Sequence, residues 1–386
     1  MRGKLRILVV DDSVVVRRML TEMLSSHPAI ESVSTASNGR IALARIPQVT
    51  PDAVILDVEM PEMDGLQTVA EIRRFNKRLP VIMFSTVTAR GAAATLDAIG
   101  LGANDYVTKP STRSGTVGQI GLVYKELVDK ILAHCHFDTS SIDTAQPAET
   151  RSRIVTAKPS LALGKPQGAI VIAPPAALGP IEAIAIGVST GGPNALAALL
   201  PTFPADLPVP VFIVQHMPRL FTKLLAERLS SKTQIPVHEA QSGDVVVPGR
   251  MWVAPGDFHM TVRRVGMRIT IQTNQDTQEN SCRPSVDPLF RSIADTYGPT
   301  ALAVVMTGMG QDGLRGCEAI RARGGQVLAQ DEASSVVWGM PGFVARAGLA
   351  EKIVPLSELG AEIVRRTRKA EAVPRLRPVA SARASL

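Results

Sequence analysis

At 386 residues, with 45% hydrophobic and 20% charged side chains, the chain reads as soluble globular material too long for one ordinary core, so two domains are expected. No apolar stretch is long enough to cross a bilayer, Met1-Arg-Gly-Lys-Leu-Arg lacks the shape of a signal peptide, and three scattered cysteines (Cys135, Cys282, Cys317) argue against a disulfide scaffold; the expected setting is the reduced cytoplasm. Of the net charge of +7, seven basic residues against one acid, Glu371, place +6 from Arg365 onward, so the body is nearly neutral and no dedicated nucleic-acid role is expected.

Along residues 5–136, short apolar runs alternate with helical patterns, the βαβ rhythm of a parallel sheet. Leu5–Val10, Ala53–Leu56, Val81–Phe84 and Asp105–Val107 read as strands, and Val14–Leu24, Gly65–Arg73 and Gly118–Ala133 as helices. From Asp138 to Pro180 the pattern gives way to Ser, Thr, Ala, Gln and repeated prolines, which predicts a linker with one short apolar patch, Ala169–Ala173. The α/β rhythm returns at Ile181 and lasts to about Arg368. Within it, His259 to Gln272 alternates around Gly266 and predicts an antiparallel hairpin beside a mostly parallel sheet. The basic C-terminal stretch reads as a frayed helix end followed by a disordered segment. The resulting division is 1–137, 138–180, 181–370 and a tail of 371–386.

Asp11 and Asp12 follow the first strand, Asp57 the third, Ser85 the fourth, and Lys109 precedes Pro110 after the fifth. Three carboxylates at neighbouring strand ends repel one another unless a hard cation sits among them, and Mg²⁺ suits such a set. A phosphoryl group arriving on one carboxylate would need that cation, a hydroxyl and an ammonium around its oxygens; Ser85 and Lys109 supply the last two. Taken singly, each item has a bland reading: an acidic pair in a solvated loop, or a chance Lys-Pro. As a set, Asp11-Asp12, Asp57-Val-Glu-Met-Pro, Ser85-Thr86 and Lys109-Pro110 closely resemble the receiver domain of two-component response regulators, over roughly residues 4–125. The resemblance implies that Asp57 accepts a phosphoryl group from a histidine kinase, and that Asp11 and Asp12 bind Mg²⁺ with the backbone carbonyl of Glu59. It also implies that Ser85 is the switch hydroxyl, that Lys109 contacts the phosphoryl group, and that Tyr106 holds the aromatic toggle position.

In the second half, three apolar runs end on members of a possible hydrolytic triad: Ala183–Ile186 before Gly187-Val-Ser189-Thr-Gly-Gly, Val211–Val214 before Gln215-His216-Met-Pro, and Ala301–Met306 before Thr307-Gly-Met-Gly-Gln-Asp312-Gly. A tight strand-to-helix turn exposes a serine hydroxyl and aims backbone N–H groups at a bound carbonyl, with Ala195–Leu200 as the following helix. Serine needs a base. His216 is the best placed, against His27, His238, His259 and the His134-Cys135-His136 run, which lacks further metal ligands at matching spacing. The base needs an acceptor to fix its tautomer, and Asp312 is favoured over Asp244, Asp257, Asp331 and the most serious competitor, Asp287. The chain order Ser…His…Asp argues against an ordinary lipase or esterase.

These motifs, with Ser242-Gly-Asp, Ala254-Pro-Gly and Arg283-Pro-Ser-Val-Asp, resemble the catalytic domain of the chemotaxis protein-glutamate methylesterase family, CheB, over about residues 181–370. That implies an α/β protein of two doubly wound domains: a flavodoxin-like receiver and a Rossmann-like methylesterase domain with an added β-hairpin. By the same resemblance, Ser189 is the nucleophile, His216 the base and Asp312 the orienting acid, with Thr190 and Met309 as backbone oxyanion donors and no cofactor for the hydrolysis. The substrates implied are methyl esters on the cytoplasmic helices of chemoreceptors, with deamidation of glutamine as a second activity and phosphorylation as the control. Alternatives from other classes are a DNA-binding response regulator, which calls for a basic helix-turn-helix output, a pure binding module whose triad look-alikes are structural, and a receiver-controlled serine esterase of another substrate.

Overall fold

The computed structural model describes residues 4–110, 117–137, 170–174 and 180–367. The first half holds strands β1 (Leu5–Val10), β2 (Ile30–Ala36), β3 (Ala53–Asp57), β4 (Val81–Ser85) and β5 (Asp105–Thr108). They alternate with α1 (Val14–Ser25), α2 (Gly39–Val49), α3 (Gly65–Phe75), α4 (Ala89–Gly100) and α5 (Val117–His134). All pairings are parallel, in the order β2-β1-β3-β4-β5. That order reverses between β1 and β3, and the carboxyl ends at such a switch point form a ready crevice. The fully buried runs of β3 and β4 follow from helices covering both faces. Helix starts are fixed locally: Ser13 caps α1, and Asp64 with Gln67 closes a capping box on α3.

The second half is built on β6 (Ala183–Val188), β7 (Val211–Gln215), β8 (Val237–Glu239), β9 (Met251–Val253), β12 (Ala301–Val305), β13 (Gln326–Gln330) and β14 (Lys352–Val354). These form a seven-stranded parallel sheet in the order β14-β13-β12-β6-β7-β9-β8. Its helices are α6 (Gly192–Leu199), α7 (Arg219–Ser230), α8 (Val286–Tyr297), α9 (Leu314–Ala322), α10 (Met340–Arg346) and α11 (Leu356–Thr367). Here the order reverses between β6 and β12. Strands β10 (His259–Val265) and β11 (Arg268–Asn274) make the expected hairpin around Gly266. It is a separate two-stranded sheet, packed on α8, and adds no strand to the parallel sheet.

One detail departs from the sequence reading, and a second shows where the apolar patch within the expected linker docks. Arg365 and Arg366 are not frayed: both lie in α11 and pair with the buried Glu362 carboxylate at 2.7 and 2.9 Å, and Arg366 also reaches Glu351 at 2.8 Å. Burial raises the pKa of Glu362, but these cations and Lys352 outweigh it and hold the carboxyl down at about 2. Within the expected linker, Val171 and Ala173 donate backbone hydrogen bonds to Ala345 and Ala350, so residues 170–174 dock against the second half near α10. The rest of that segment, apart from Pro180, and the tail 371–386 lie outside the described residues.

The apolar core does not stop at the join between halves. One buried cluster runs from Leu56 and Met83 through Tyr106 to Met217, Phe221 and Ile186. Tyr106 of β5 stacks on Phe221 of α7, with ring centroids 4.7 Å apart. Around it, Arg228 pairs with Asp97 at 2.9 Å, and the Asn194 amide donates to the Ala103 carbonyl at 3.2 Å.

Candidate active site and acidic cluster

The carboxyl ends of β1 and β3 bring Asp11, Asp12 and Asp57 together, with one carboxylate oxygen from each within 4.8 Å of the others. Lys109, from the end of β5, sits between two of them, its Nζ 2.7 Å from Asp11 and 2.8 Å from Asp57. Burial raises the Asp57 pKa to about 6, helped by the neighbouring Asp11 charge and opposed by Lys109. Three hard oxygen donors around one point have the chemistry that holds a small divalent cation. Ser85 is fully buried and donates to the carbonyls of Gly91 and Thr86 at 3.2 and 3.3 Å, so in this arrangement its hydroxyl is turned toward α4. Glu59 is exposed, with its carboxylate 3.3 Å from Arg90. Tyr106 is turned inward, 5% exposed, with the Lys130 ammonium 4.9 Å above its ring.

The second constellation lies at the carboxyl ends of β6, β7 and β12, beside the other switch point. Ser189 leaves β6 into the turn that starts α6, where Gly191 adopts φ +76°, a left-handed conformation that suits glycine. The turn is braced: the Ser189 carbonyl accepts from the Gly192 N–H at 2.8 Å and from the Gln215 amide at 3.0 Å. Gly308 is needed for close approach, because an added Cβ would lie 2.8 Å from the Ser189 Cβ and 2.4 Å from the Met340 sulfur.

His216 Nδ1 is 3.1 Å from Ser189 Oγ, and its Nε2 is 2.7 Å from Asp312 Oδ2. Asp312 is 2% exposed, yet its charge is fully met. Beyond His216, Oδ2 accepts from the Val286 N–H at 2.7 Å. Oδ1 accepts from the Ser285 hydroxyl at 2.7 Å, the Asn280 amide at 2.9 Å and the N–H groups of Asp287 and Gly313 at 3.1 and 2.9 Å. Val286 and Asp287 open α8, so the carboxylate also sits at a helix N-terminus. Burial would raise its pKa, but His216 and these donors hold it below the usual range. Asp287, the competitor, makes no bond to His216. Its oxygens accept from Gly316 N–H at 2.7 Å and Asn280 at 2.9 Å, and burial beside Asp312 pushes its pKa up to about 6.

The sequence reading missed Cys282 and Asn280. Cys282 Sγ lies 3.6 Å from His216 Nδ1, the same ring nitrogen that faces Ser189. Burial disfavours the His216 cation, but its contacts with Cys282 and Asp312 outweigh that and push the imidazole pKa up to about 10. Both missed residues come from one tight turn, Glu279 to Cys282, in which Asn280 and Ser281 have φ of 52° and 60°. Among the described residues, neither the Thr190 nor the Met309 N–H has a hydrogen-bond acceptor. Two unpaired donors beside a serine can hold a developing oxyanion.

The family model for the CheB methylesterase matches residues 184–363, and that for the response regulator receiver domain matches residues 7–119. A protein-glutamate methylesterase/protein-glutamine glutaminase of Trichodesmium erythraeum is 54% identical, covering 94% of this chain and 99% of that protein. One of a Nocardioides species is 47% identical, covering 94% and 95%. Among solved structures, the Thermotoga maritima CheB methylesterase catalytic domain is 37% identical with a TM-score of 0.47, covering 48% of this chain and 98% of that one.

Proposed function

The chain belongs to the protein-glutamate methylesterase/protein-glutamine glutaminase family, and from that premise we propose that Ser189, His216 and Asp312 hydrolyse receptor glutamyl methyl esters under the control of phosphorylation at Asp57. The observation carrying this reading is the hydrogen-bonded series Ser189–His216–Asp312, at 3.1 and 2.7 Å, set at the switch point of a parallel sheet.

Ser189 Oγ attacks the ester carbonyl as His216 Nδ1 takes its proton. Asp312 keeps the Nε2 proton in place and offsets the imidazolium charge. The carbonyl oxygen, now negative, accepts from the Thr190 and Met309 N–H groups, each donor contributing about 3 kcal/mol to the barrier reduction. The Nδ1 proton passes to the methoxy oxygen, methanol leaves, and water activated by His216 releases the glutamate. A glutamine side chain presents the same carbonyl with ammonia as leaving group, which accounts for the second activity in the family name.

Residues 1–137 act as the receiver, 138–180 as the linker and 181–370 as the catalytic part. Asp11, Asp12, Asp57 and the Glu59 carbonyl would hold Mg²⁺, whose charge offsets that of the incoming phosphoryl group. Lys109 would pair with a phosphoryl oxygen, Ser85 would turn from Gly91 toward it, and Tyr106 would register the change at the join with α7. The partners are a histidine kinase and the cytoplasmic helices of chemoreceptors, with the cytoplasm as the place of action. Among the described residues, no helix is long and apolar enough to span a membrane.

Ser189→Ala tests the reading through methanol release from methylated receptor membranes. Release should vanish while phosphorylation at Asp57 persists; normal release would refute Ser189 as nucleophile.

A further inference from the structure

Resting on that reading, we propose that Asp105 is a positioning residue for the reaction centre: its carboxylate crosses from the receiver, binds the first turn after Ser189, and opposes the oxyanion that forms there.

Asp105 is 3% exposed and lies in β5, next to Tyr106. Its Oδ1 accepts from the Tyr106 N–H at 2.8 Å and the Lys130 ammonium at 3.1 Å. Oδ2 faces the other way. It accepts from the Gly191 N–H at 3.2 Å and lies 3.3 Å from His134 Nε2. Burial works against the carboxylate charge, but Lys130 and His134 outweigh it and keep the group ionised.

Gly191 is the N-cap of α6, two residues after Ser189. The peptide joining Thr190 to Gly191 is therefore held at both ends: its carbonyl accepts from Thr307 Oγ1 at 2.9 Å and its N–H donates to Asp105. The N-terminus of a helix carries partial positive charge that favours an anion. Here a fixed anion is already bound to it, one peptide beyond the Thr190 donor. The restraint is thus electrostatic as well as steric. Lys130 pairs with Oδ1, the oxygen away from the turn, and offsets the charge from the receiver side, while His134 Nε2 shares Oδ2 with the Gly191 N–H. Of the other polar contacts at this edge, Asn194 in the first turn of α6 donates to the Ala103 carbonyl, whereas Arg228–Asp97 lies on α7 and α4 and does not touch the turn.

Steady-state methanol release by the unphosphorylated full chain separates charge from cover. Asp105→Asn keeps the shape and removes the charge; kcat should rise about tenfold with KM unchanged, and stimulation by a phosphodonor should shrink by the same factor. Asp97→Asn loosens the edge without touching the turn and should change kcat less than twofold. Equal rises in the two variants, or an Asp105→Asn kcat within twofold of the parent, would overturn the inference. A second reading needs no variant: the Gly191 amide proton resonance, held downfield by the carboxylate, should move upfield when acetyl phosphate and Mg²⁺ are added. An unmoved resonance overturns the inference even if Asp105→Asn fails to fold. These outcomes are separate from the nucleophile assignment, which fails only if Ser189→Ala still releases methanol.

Discussion

Replacing Asp312 by Asn puts one amide where a carboxylate now satisfies six donors. Whichever way the amide turns, an NH₂ group meets donors. The less costly orientation points it at the Oδ2 side, where two donors, His216 Nε2 and the Val286 N–H, are met instead of four. His216 can adapt only by giving up the Nε2 proton and carrying it on Nδ1, which then donates to Ser189 in place of accepting from it. Val286 loses its partner outright. A lost hydrogen bond to a charged group costs about 1.5–3 kcal/mol, so stability should fall by about 2 kcal/mol and the melting temperature by a few degrees. The wrong tautomer should cost about 10⁴-fold in kcat, with KM little changed. Methanol release from methylated receptor membranes gives the rate, and calorimetry on the same sample gives the stability. A folded Asp312→Asn protein working within tenfold of the parent would refute the assigned tautomer and with it the role of Asp312.

Two further outcomes follow from the same geometry. His216 must be neutral to act as base, and its raised pKa predicts an alkaline limb in the pH–rate profile of the unphosphorylated chain. Because Cys282 is one of the groups raising that pKa, Cys282→Ala should move the limb to lower pH; a shift of about one unit would raise the rate at pH 7 about tenfold. An unmoved limb in the pH–rate titration would refute a contribution of Cys282 to the raised imidazole pKa. Chelation with EDTA should abolish stimulation by acetyl phosphate and leave the basal rate intact, since the acidic cluster and the triad belong to different sheets. Loss of basal methanol release on chelation would contradict that separation.

Strands buried on both faces were legible because they are continuous apolar runs: β3, β4, β6, β7 and β12 all stand where their sequences predict. Strand β2 was not, because Glu31, Ser32, Ser34 and Thr35 interrupt an edge strand that is buried only at its ends. The three-residue strands β8, β9 and β14 carry too few positions for a period to be read. Ser189, His216 and Asp312 could be singled out because each sits where an apolar run breaks into glycine or a Gln-His-Met-Pro turn, and the structure brings those three breaks together. Cys282 and Asn280 could not: they act from a turn with two left-handed residues, a backbone shape that leaves little trace in residue type. The hydrogen bond from Gly191 to Asp105 was beyond reach for a different reason. It joins two units separated by a long proline-rich stretch, and nothing in the spacing of either unit sets how they meet.

The stacking of Tyr106 on Phe221 makes the coupling between the halves reciprocal. If an acyl phosphate on Asp57 weakens the hold of β5 on α7 by some factor, then that hold must disfavour the acyl phosphate by the same factor. The esterase half would then be an effector of the receiver as much as its target. Anything that pries β5 from α7, a receptor segment entering the Ser189 crevice included, would favour the phosphorylated form.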